Sequence, residues 1–322
     1  MIKHSNDMSI CRLRGSVHQK PPSALTIGNF DGVHLGHAAV LRNLVALAKE
    51  RGLVPTVVTF APNPKAYFAQ LRGVPLPTQI MPLRDKVAVL KRLGIEQVVI
   101  LPFDAKLANM PAEAFVQTVL NERLNTQLLM VGDDFRFGAQ RKGDFALLSN
   151  LQGQYGYELQ NLHSVLQDDV RVSSSSIRAL LAKGELKKAV QLLGHSLTLS
   201  GHVIRGKQLG RTIGVPTINL KMPAQLATQG VYAVTVRLSG SPDRVIQGAA
   251  SIGTRPSVDS NGQCWCEVHL LDFNESVYGQ IARVSLLHKI RDEEKFDSFD
   301  DLISAIEADI DACSIYFAEH SL

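Results

Sequence analysis

His34 and His37 stand three residues apart, with Gly36 between them, at the end of the stretch GNFDGVHLGH that spans residues 28–37. At that spacing two histidines lie one helical turn apart on the same side, and each can donate a ring N–H to a phosphate oxygen. Gly36 removes a side chain where a nucleotide must come close. An apolar run, ALTI, precedes the stretch, and helically spaced Ala38, Leu41, Val45 and Ala48 follow it. The motif therefore falls between a strand and a helix, where a helix N-terminus offers free N–H groups and a positive dipole end to an anion. Gly28, Phe30 and Asp31 belong to the same expected nucleotide site, Asp31 either orienting the loop or contacting the nucleotide. An isolated HxGH is often a chance match, and two histidines can simply cap a helix.

A second candidate is VSSSSIR, residues 172–178. Ser173, Ser174 and Ser175 open a helix with Arg178 one turn in, which suits the β- and γ-phosphates of a nucleotide. The same pattern also describes a serine N-cap followed by a solvated arginine. In the second half, Thr217 and Asn219 of PTIN alternate onto one face of an extended run and present two oxygen ligands suited to Mg²⁺, or form a plain polar strand face. Glu267 sits in CWCEVHLL, a run apolar enough to be buried, where a carboxylate is costly without a partner or a task. GHVIRGKQ fits the spacing of a P-loop, but Gln208 replaces the hydroxyl residue that would hold magnesium. Gly210, Gly214 and Pro216 also break any following helix, so that reading is rejected.

The elements that position these residues follow from periodicity. Between residue 24 and about residue 182, the apolar runs ALTI, PTVVTF, QVVIL and QLLMV alternate with helically spaced segments, which predicts a parallel sheet covered by helices on both faces. After about residue 195, short glycine-rich alternating runs precede a helix from about Ser298 to Phe317, which predicts a small antiparallel barrel with a C-terminal helix. GELKKAVQLLG, bounded by glycines, reads as a short joining helix. The expected division is residues 1–184, a linker helix at 185–194, and residues 195–322.

With 322 residues and 45% hydrophobic content, the chain is long enough for two ordinary cores. Its 34 Lys and Arg against 30 Asp and Glu are spread along the chain, so no nucleic-acid surface is implied. No apolar run approaches a membrane span and no secretory leader is evident, so a soluble cytoplasmic protein is expected. The four cysteines form no CxxC pair, and Cys264 and Cys266 share a strand face without further metal partners; reduced structural thiols are expected. The sequence carries no mark of oligomeric state.

Together HxGH and SSSxIR resemble the nucleotidylyltransferase superfamily. GNFDGVHLGH joined to TFAPNP, IMPLRDK, GDDFRFG and RKGD resembles the adenylyltransferase module of bacterial bifunctional riboflavin kinase/FAD synthetases. The second half is similar to the kinase module of the same family through GHVIRGKQLGRTIGVPTINL, GVYAV, IGTRPSV, EVHLLDF, YGQ and KIRDEEKF. The resemblance covers residues 22–316 and implies an N-terminal Rossmann-like α/β domain and a C-terminal β-barrel. It implies phosphorylation of riboflavin to FMN, then adenylyl transfer from ATP to FMN, giving FAD and pyrophosphate with Mg²⁺ as cofactor and only small-molecule substrates. It assigns Glu267 as general base, places Gly201, Gly206 and Gly210 over ATP, and puts Arg255 and Arg291 near the flavin and a lid. On the adenylyl side it implies that His34, His37 and Arg178 hold the phosphates, and that GDDFRFG lines the flavin side, with Phe135 and Phe137 either available for contact or serving as core aromatics. Ile218, Ser251, Ala61 and Asn63 depart from the family pattern, and Ser251 and Ala61 leave room for altered flavin affinity. Two competing readings are a flavin-binding regulator that has lost one catalysis and a class I aminoacyl-tRNA synthetase. The second lacks a KMSKS-type loop and an RNA-binding domain.

Overall fold

The four apolar runs of the first half pair as parallel strands, and the structure adds one more strand at each edge. The computed structural model describes residues 8–12, 21–162, 172–206, 214–223, 225–254 and 263–320. The sheet comprises β1 (Ser9–Arg12), β2 (Ser23–Ile27), β3 (Val54–Phe60), β4 (Gln97–Leu101), β5 (Thr126–Val131) and β6 (Glu158–Asn161), in spatial order β1-β4-β3-β2-β5-β6. β2 and β4 are buried at every position, which explains their largely apolar character, with Ser23, Thr26 and Gln97 as the buried polar exceptions. The edge strands SICR and ELQN carry no such run, because only one of their sides is paired.

From β2 the chain moves outward through β3 and β4, then returns past β2 to β5 and β6. The order therefore reverses between β2 and β5, and the crevice beyond the strand ends at such a reversal is where open parallel sheets bind ligands. Helix α1 (Leu35–Glu50) starts just after β2 and buries Ala38, Leu41, Leu44, Val45 and Ala48, the spacing of an amphipathic helix against a sheet. The opposite face of the sheet, with Leu25, Ile27, Val58 and Leu129, packs against a second core that includes Phe115, Val119 and Leu148.

By packing, the described residues form two units. One comprises those up to Pro77 and from Val87 to 162; the other comprises Thr78–Lys86 and those from Val172 onward. The first unit also holds α2 (Pro64–Leu71), and α3 (Leu83–Arg92) begins within the second unit's segment. The second unit contains α7, so numbered after α4 (Ala105–Ala108), α5 (Ala112–Phe115) and α6 (Phe145–Tyr155) of the first. Helix α7 covers Ser174–Ala182 and is followed by α8 (Leu186–Leu193), the helix expected in GELKKAVQLLG.

Strands β7 (Thr198–Ile204), β8 (Thr217–Lys221), β9 (Gly230–Leu238), β10 (Ser241–Thr254), β11 (Cys264–Leu270) and β12 (Ile281–Arg291) close a barrel in the order β10-β11-β8-β7-β12-β9. Every pairing is antiparallel, and closure leaves no open sheet edge. Tyr232, Val234, Ile252, Cys266, Val268 and Leu220 are among the residues buried on the inner side. Helix α9 (Phe299–Glu319), capped by Ser298, lays Cys313 and Phe317 on Ala233 and Ala249. All four cysteines are free thiols, and among the described residues no cluster of His, Cys, Asp or Glu could hold a metal.

The parallel-sheet core makes a direct stability prediction. Leu129 is fully buried in β5, so Leu129→Ala should destabilise the protein by about 3 kcal/mol. Leu71, 66% exposed at the end of α2, should tolerate alanine within about 0.5 kcal/mol. Urea midpoints of the two variants against wild type check both values.

Candidate active sites

The GNFDGVHLGH loop occupies the turn between β2 and α1. Gly28 donates its N–H to the carbonyl of Val58 at 3.0 Å, and a Cβ at Gly28 would lie 3.0 Å from the Phe30 ring. Phe30 and Val33 both adopt the left-handed region, φ 46° and 42°, on either side of Gly32 at 83°. For a β-branched residue such as Val33 that conformation costs on the order of 1–3 kcal/mol and persists only where the surroundings enforce it. Both side chains are buried, as is Asp31.

His34 is the N-cap of α1: its Nδ1 accepts the backbone N–H of His37 at 3.3 Å. The two imidazoles stack with centroids 3.6 Å apart and planes 18° apart, and the edge of Phe30 meets His37 at 5.1 Å. Capping and phosphate binding, alternatives in the sequence, are thus compatible here. With Nδ1 engaged as an acceptor, the proton of a neutral His34 resides on Nε2, the nitrogen left to donate. Burial lowers its pKa from 6.5 to about 4. At neutral pH, His34 is therefore an uncharged hydrogen-bond donor in the unliganded protein.

The serine stretch lies in the second unit. Ser173 Oγ accepts the N–H of Ser176 at 3.1 Å, and Ser176 Oγ accepts the N–H of Ser173 at 3.3 Å, a reciprocal capping box. Ser174 and Ser175 occupy the first turn, and Arg178 donates to Ser175 Oγ at 3.2 Å. This places a guanidinium beside the hydroxyls at a helix N-terminus, where an anion is favoured.

On the barrel, CWCEVHL alternates strictly. Cys264, Cys266, Val268 and Leu270 point inward and are buried, while Trp265, Glu267 and His269 face outward and are partly exposed. Glu267 is therefore not the buried carboxylate that its apolar neighbours led one to expect, because strand alternation separates it from them. Its register partners are Ser251 on β10 and Asn219 on β8, so the three side chains form one outward row. Directly opposed residues of antiparallel strands have Cβ atoms about 5 Å apart.

Asn219 is 5% exposed, and its Nδ2 donates to the carbonyl of Thr217 at 3.3 Å. That bond turns the amide oxygen the other way. Ile218 lies between the two, buried inside the barrel, so its bulk does not reach the outer face. Gly206 closes directly on Asn219, where a Cβ would come within 2.6 Å of the amide. Gly201 backs onto Leu220 and Met222 within the barrel. Gly210 and Arg255 lie outside the described residues.

Comparison with known proteins gives two consecutive matches. The FAD synthetase family model matches residues 16–176 and the riboflavin kinase family model matches residues 193–317. A bifunctional riboflavin kinase/FMN adenylyltransferase of Haemophilus influenzae is 42% identical over 295 residues, covering 91% of this chain and 94% of the relative. The chain belongs to the bifunctional riboflavin kinase/FMN adenylyltransferase family. The relative of the same name from Escherichia coli K12 is 41% identical, covering 88% of this chain and 90% of its own. A solved structure described as a macrolide-efflux protein from Streptococcus pneumoniae superposes with a TM-score of 0.69 at 30% identity, covering 93% of this chain and 97% of that one. Among the described residues here, no helix is long and apolar enough to cross a membrane.

Two features of the structure go beyond the sequence reading. Arg291, expected near the flavin, makes a two-pronged ion pair with Asp309 of α9, Nε to Oδ1 at 2.7 Å and NH2 to Oδ2 at 2.8 Å. An aromatic cluster also surrounds Phe103, whose centroid lies 5.7 Å from Phe60, 5.4 Å from Tyr67 and 5.8 Å from Phe68. Its signal in the sequence is the placing of aromatics just after two neighbouring strands, β3 and β4, of a parallel sheet. Of the expected flavin-side pair, Phe137 is buried in the core and Phe135 stacks on it at 5.4 Å.

The depressed His34 pKa sets a pH dependence. Between about pH 6.5 and pH 4 the unfolded chain binds the proton and the folded one does not, so stability is lost as pH falls through that window. Wild type should lose about 2 kcal/mol relative to His34→Gln between pH 7 and pH 4.5, read from urea unfolding at the two pH values. An unchanged difference would contradict the buried neutral imidazole.

Proposed function

We propose that riboflavin is phosphorylated on the outer face of the barrel and that the resulting FMN is adenylylated at the carboxyl ends of the parallel strands. The family supplies the two activities, with riboflavin, FMN and ATP as substrates. The observation that carries the placing is the outward row of Ser251, Glu267 and Asn219, closed at one end by Gly206. In this reading residues 1–184 form the adenylyltransferase, 195–322 the kinase, and 185–194 the helix that joins them. The free thiols fit a reducing, cytoplasmic setting.

In the kinase, Glu267 takes the proton of the terminal ribityl hydroxyl while its oxygen attacks the γ-phosphorus of ATP and ADP leaves. The backbone at Gly206, just past the end of β7, covers the phosphates with N–H groups, as glycine-rich turns do, whereas Gly201 lies within the paired strand. Thr217 and Asn219 would hold Mg²⁺ through the Thr217 hydroxyl and the Asn219 amide oxygen, the amide first giving up the contacts its Nδ2 makes to Thr217. When bound there, the ion would neutralise phosphate charge. The family resemblance assigns Arg255 and Arg291 to the flavin side of this site, Arg291 being oriented by its ion pair with Asp309.

In the adenylyltransferase, a phosphate oxygen of FMN attacks the α-phosphorus of ATP and pyrophosphate departs, without a covalent enzyme intermediate. His34 Nε2–H and His37 hold phosphate oxygens, and the family resemblance assigns the same task to Arg178 and to the helix N-terminus of Ser173, Ser174 and Ser175. Gly28, Phe30, Asp31 and Gly36 shape the loop against the nucleotide. The isoalloxazine stacks on the cluster around Phe103, where Phe68 is 39% exposed.

A chromatographic time course separates the two sites. Supplied with riboflavin, ATP and Mg²⁺, wild type should form FMN first and FAD second. Glu267→Gln should slow the first step by about 100-fold or more and spare FAD formation from added FMN, while His34→Ala should do the reverse. Loss of both steps in either variant would overturn the assignment of separate sites. Phe68→Ala should raise KM for FMN about tenfold in the adenylyl step and leave the kinase unchanged, as the loss of one stacking surface requires. An unchanged KM for FMN would remove the aromatic cluster from the flavin site.

A further inference from the structure

Residues Thr78–Lys86 fall inside the stretch matched by the FAD synthetase family model, yet they pack with the barrel unit. Gln79 exchanges backbone hydrogen bonds with Gln225 and Ala227, both at 2.8 Å, and Ile80 and Met81 are buried. Arg84 NH2 lies 3.2 Å from His202 Nε2. Asp85 is 6% exposed and takes two hydrogen bonds from a single residue, the Ser200 backbone N–H at 2.8 Å and the Ser200 hydroxyl at 2.5 Å.

Ser200 needs such a partner. On one side β7 pairs with β12, where Arg283 is opposite Ser200, but its pairing with β8 involves only Val203 and Ile204. The N–H of Ser200 therefore has no β8 carbonyl to receive it, and a buried donor left unpaired costs about 1–3 kcal/mol. A carboxylate is a demanding way to meet that need: burial pushes the Asp85 pKa up, and the Ser200 bonds together with nearby Arg84 and Arg283 oppose the rise. The position on the strand is what makes the contact consequential. Ser200, His202 and Ile204 share the outer face of β7, Ile204 is the register partner of Asn219, and Gly206 closes on the Asn219 amide.

We infer that Asp85 is a positioning residue for the riboflavin kinase: by fixing β7 it holds Ile204 to Gly206 against Asn219, so a residue of the FAD synthetase stretch tunes ATP binding at the kinase site. The inference rests on the placing of the kinase site proposed above.

The test uses the full-length protein with the two activities assayed separately and ATP varied. Asp85→Ala should raise KM for ATP in riboflavin phosphorylation by about fivefold, with kcat within about twofold and FMN adenylylation unchanged. Asp85→Asn keeps an acceptor for the Ser200 N–H and should retain a near wild-type KM. Ser200→Ala removes one of the two bonds and should raise KM by less, and combining it with Asp85→Ala should add nothing, since the pair acts as one unit. An unchanged KM for ATP in Asp85→Ala, or a parallel fall of both activities in soluble protein, overturns the inference. If Asp85→Ala fails to fold, Ser200→Ala decides, and a wild-type KM there overturns it. Gly206→Ala tests the site itself: no effect on KM for ATP would sink the placing of the kinase site. An effect at Gly206 with none at Asp85 would sink the positioning role alone.

Discussion

The hydrogen-bonded register of β10, β11 and β8 is the constraint on which the polar outer face of the barrel depends. Because side chains alternate faces with a period of two, pairing Glu267 with Ser251 and Asn219 sends all three outward and sends Cys266 and Val268 inward. A slip of one residue would bury the carboxylate and expose the core. Barrel closure makes such a slip costly, since each strand is held on both sides and the inner faces of all six must mesh. The same alternation allows Ile218 to sit between Thr217 and Asn219 without affecting them. A large residue at that position is a matter of core volume, not of the polar face.

In the parallel-sheet unit the corresponding constraint is burial around the first helix. A helix N-terminus favours an anion through its unpaired N–H groups, but a protonated histidine at the same place would oppose the dipole and lose its solvation. His34 meets both demands as a neutral ring, its Nδ1 capping α1 and its Nε2 carrying the proton. Stacking on His37 at 3.6 Å reinforces this, because two imidazolium rings in that arrangement would repel. The strained φ angles of Phe30 and Val33 are held by burial of both side chains, so the loop keeps its shape before any ligand arrives.

Much of this was legible in the sequence where period and apolar content agree. β2, β3, β4 and β5, helix α1, the barrel strands and helix α9, expected from about Ser298 to Phe317, all follow from runs that bury one or both faces. β1 and β6 were not legible, because SICR and ELQN are short edge strands whose polar residues meet solvent. Glu267 was legible as a chemical candidate but not in its setting: composition makes its surroundings apolar, and only the alternation shows that those neighbours face away. The pairing of Arg291 with Asp309 joins a strand end to a helix far along the chain, and no local pattern encodes a partner at that separation. The aromatic cluster around Phe103 likewise requires knowing that β3 and β4 are neighbours in the sheet.

A closed barrel satisfies its own ladder but leaves polar groups on its outer face that the ladder cannot reach. Here two helices from outside the barrel supply the missing partners, each with one carboxylate: Asp85, in the first turn of α3, accepts both donors of Ser200, and Asp309 of α9 grips Arg291 with two bonds. Charge-assisted bonds of this sort are geometrically specific, so they fix orientation as well as adding energy. Their placement follows the barrel's needs and not the limits of the sequence families, since Asp85 lies within the FAD synthetase match and Asp309 within the riboflavin kinase match. A family boundary drawn by sequence similarity is therefore not the boundary of the physical unit. The barrel is completed by a segment that the chain supplies before its own first strand has been reached.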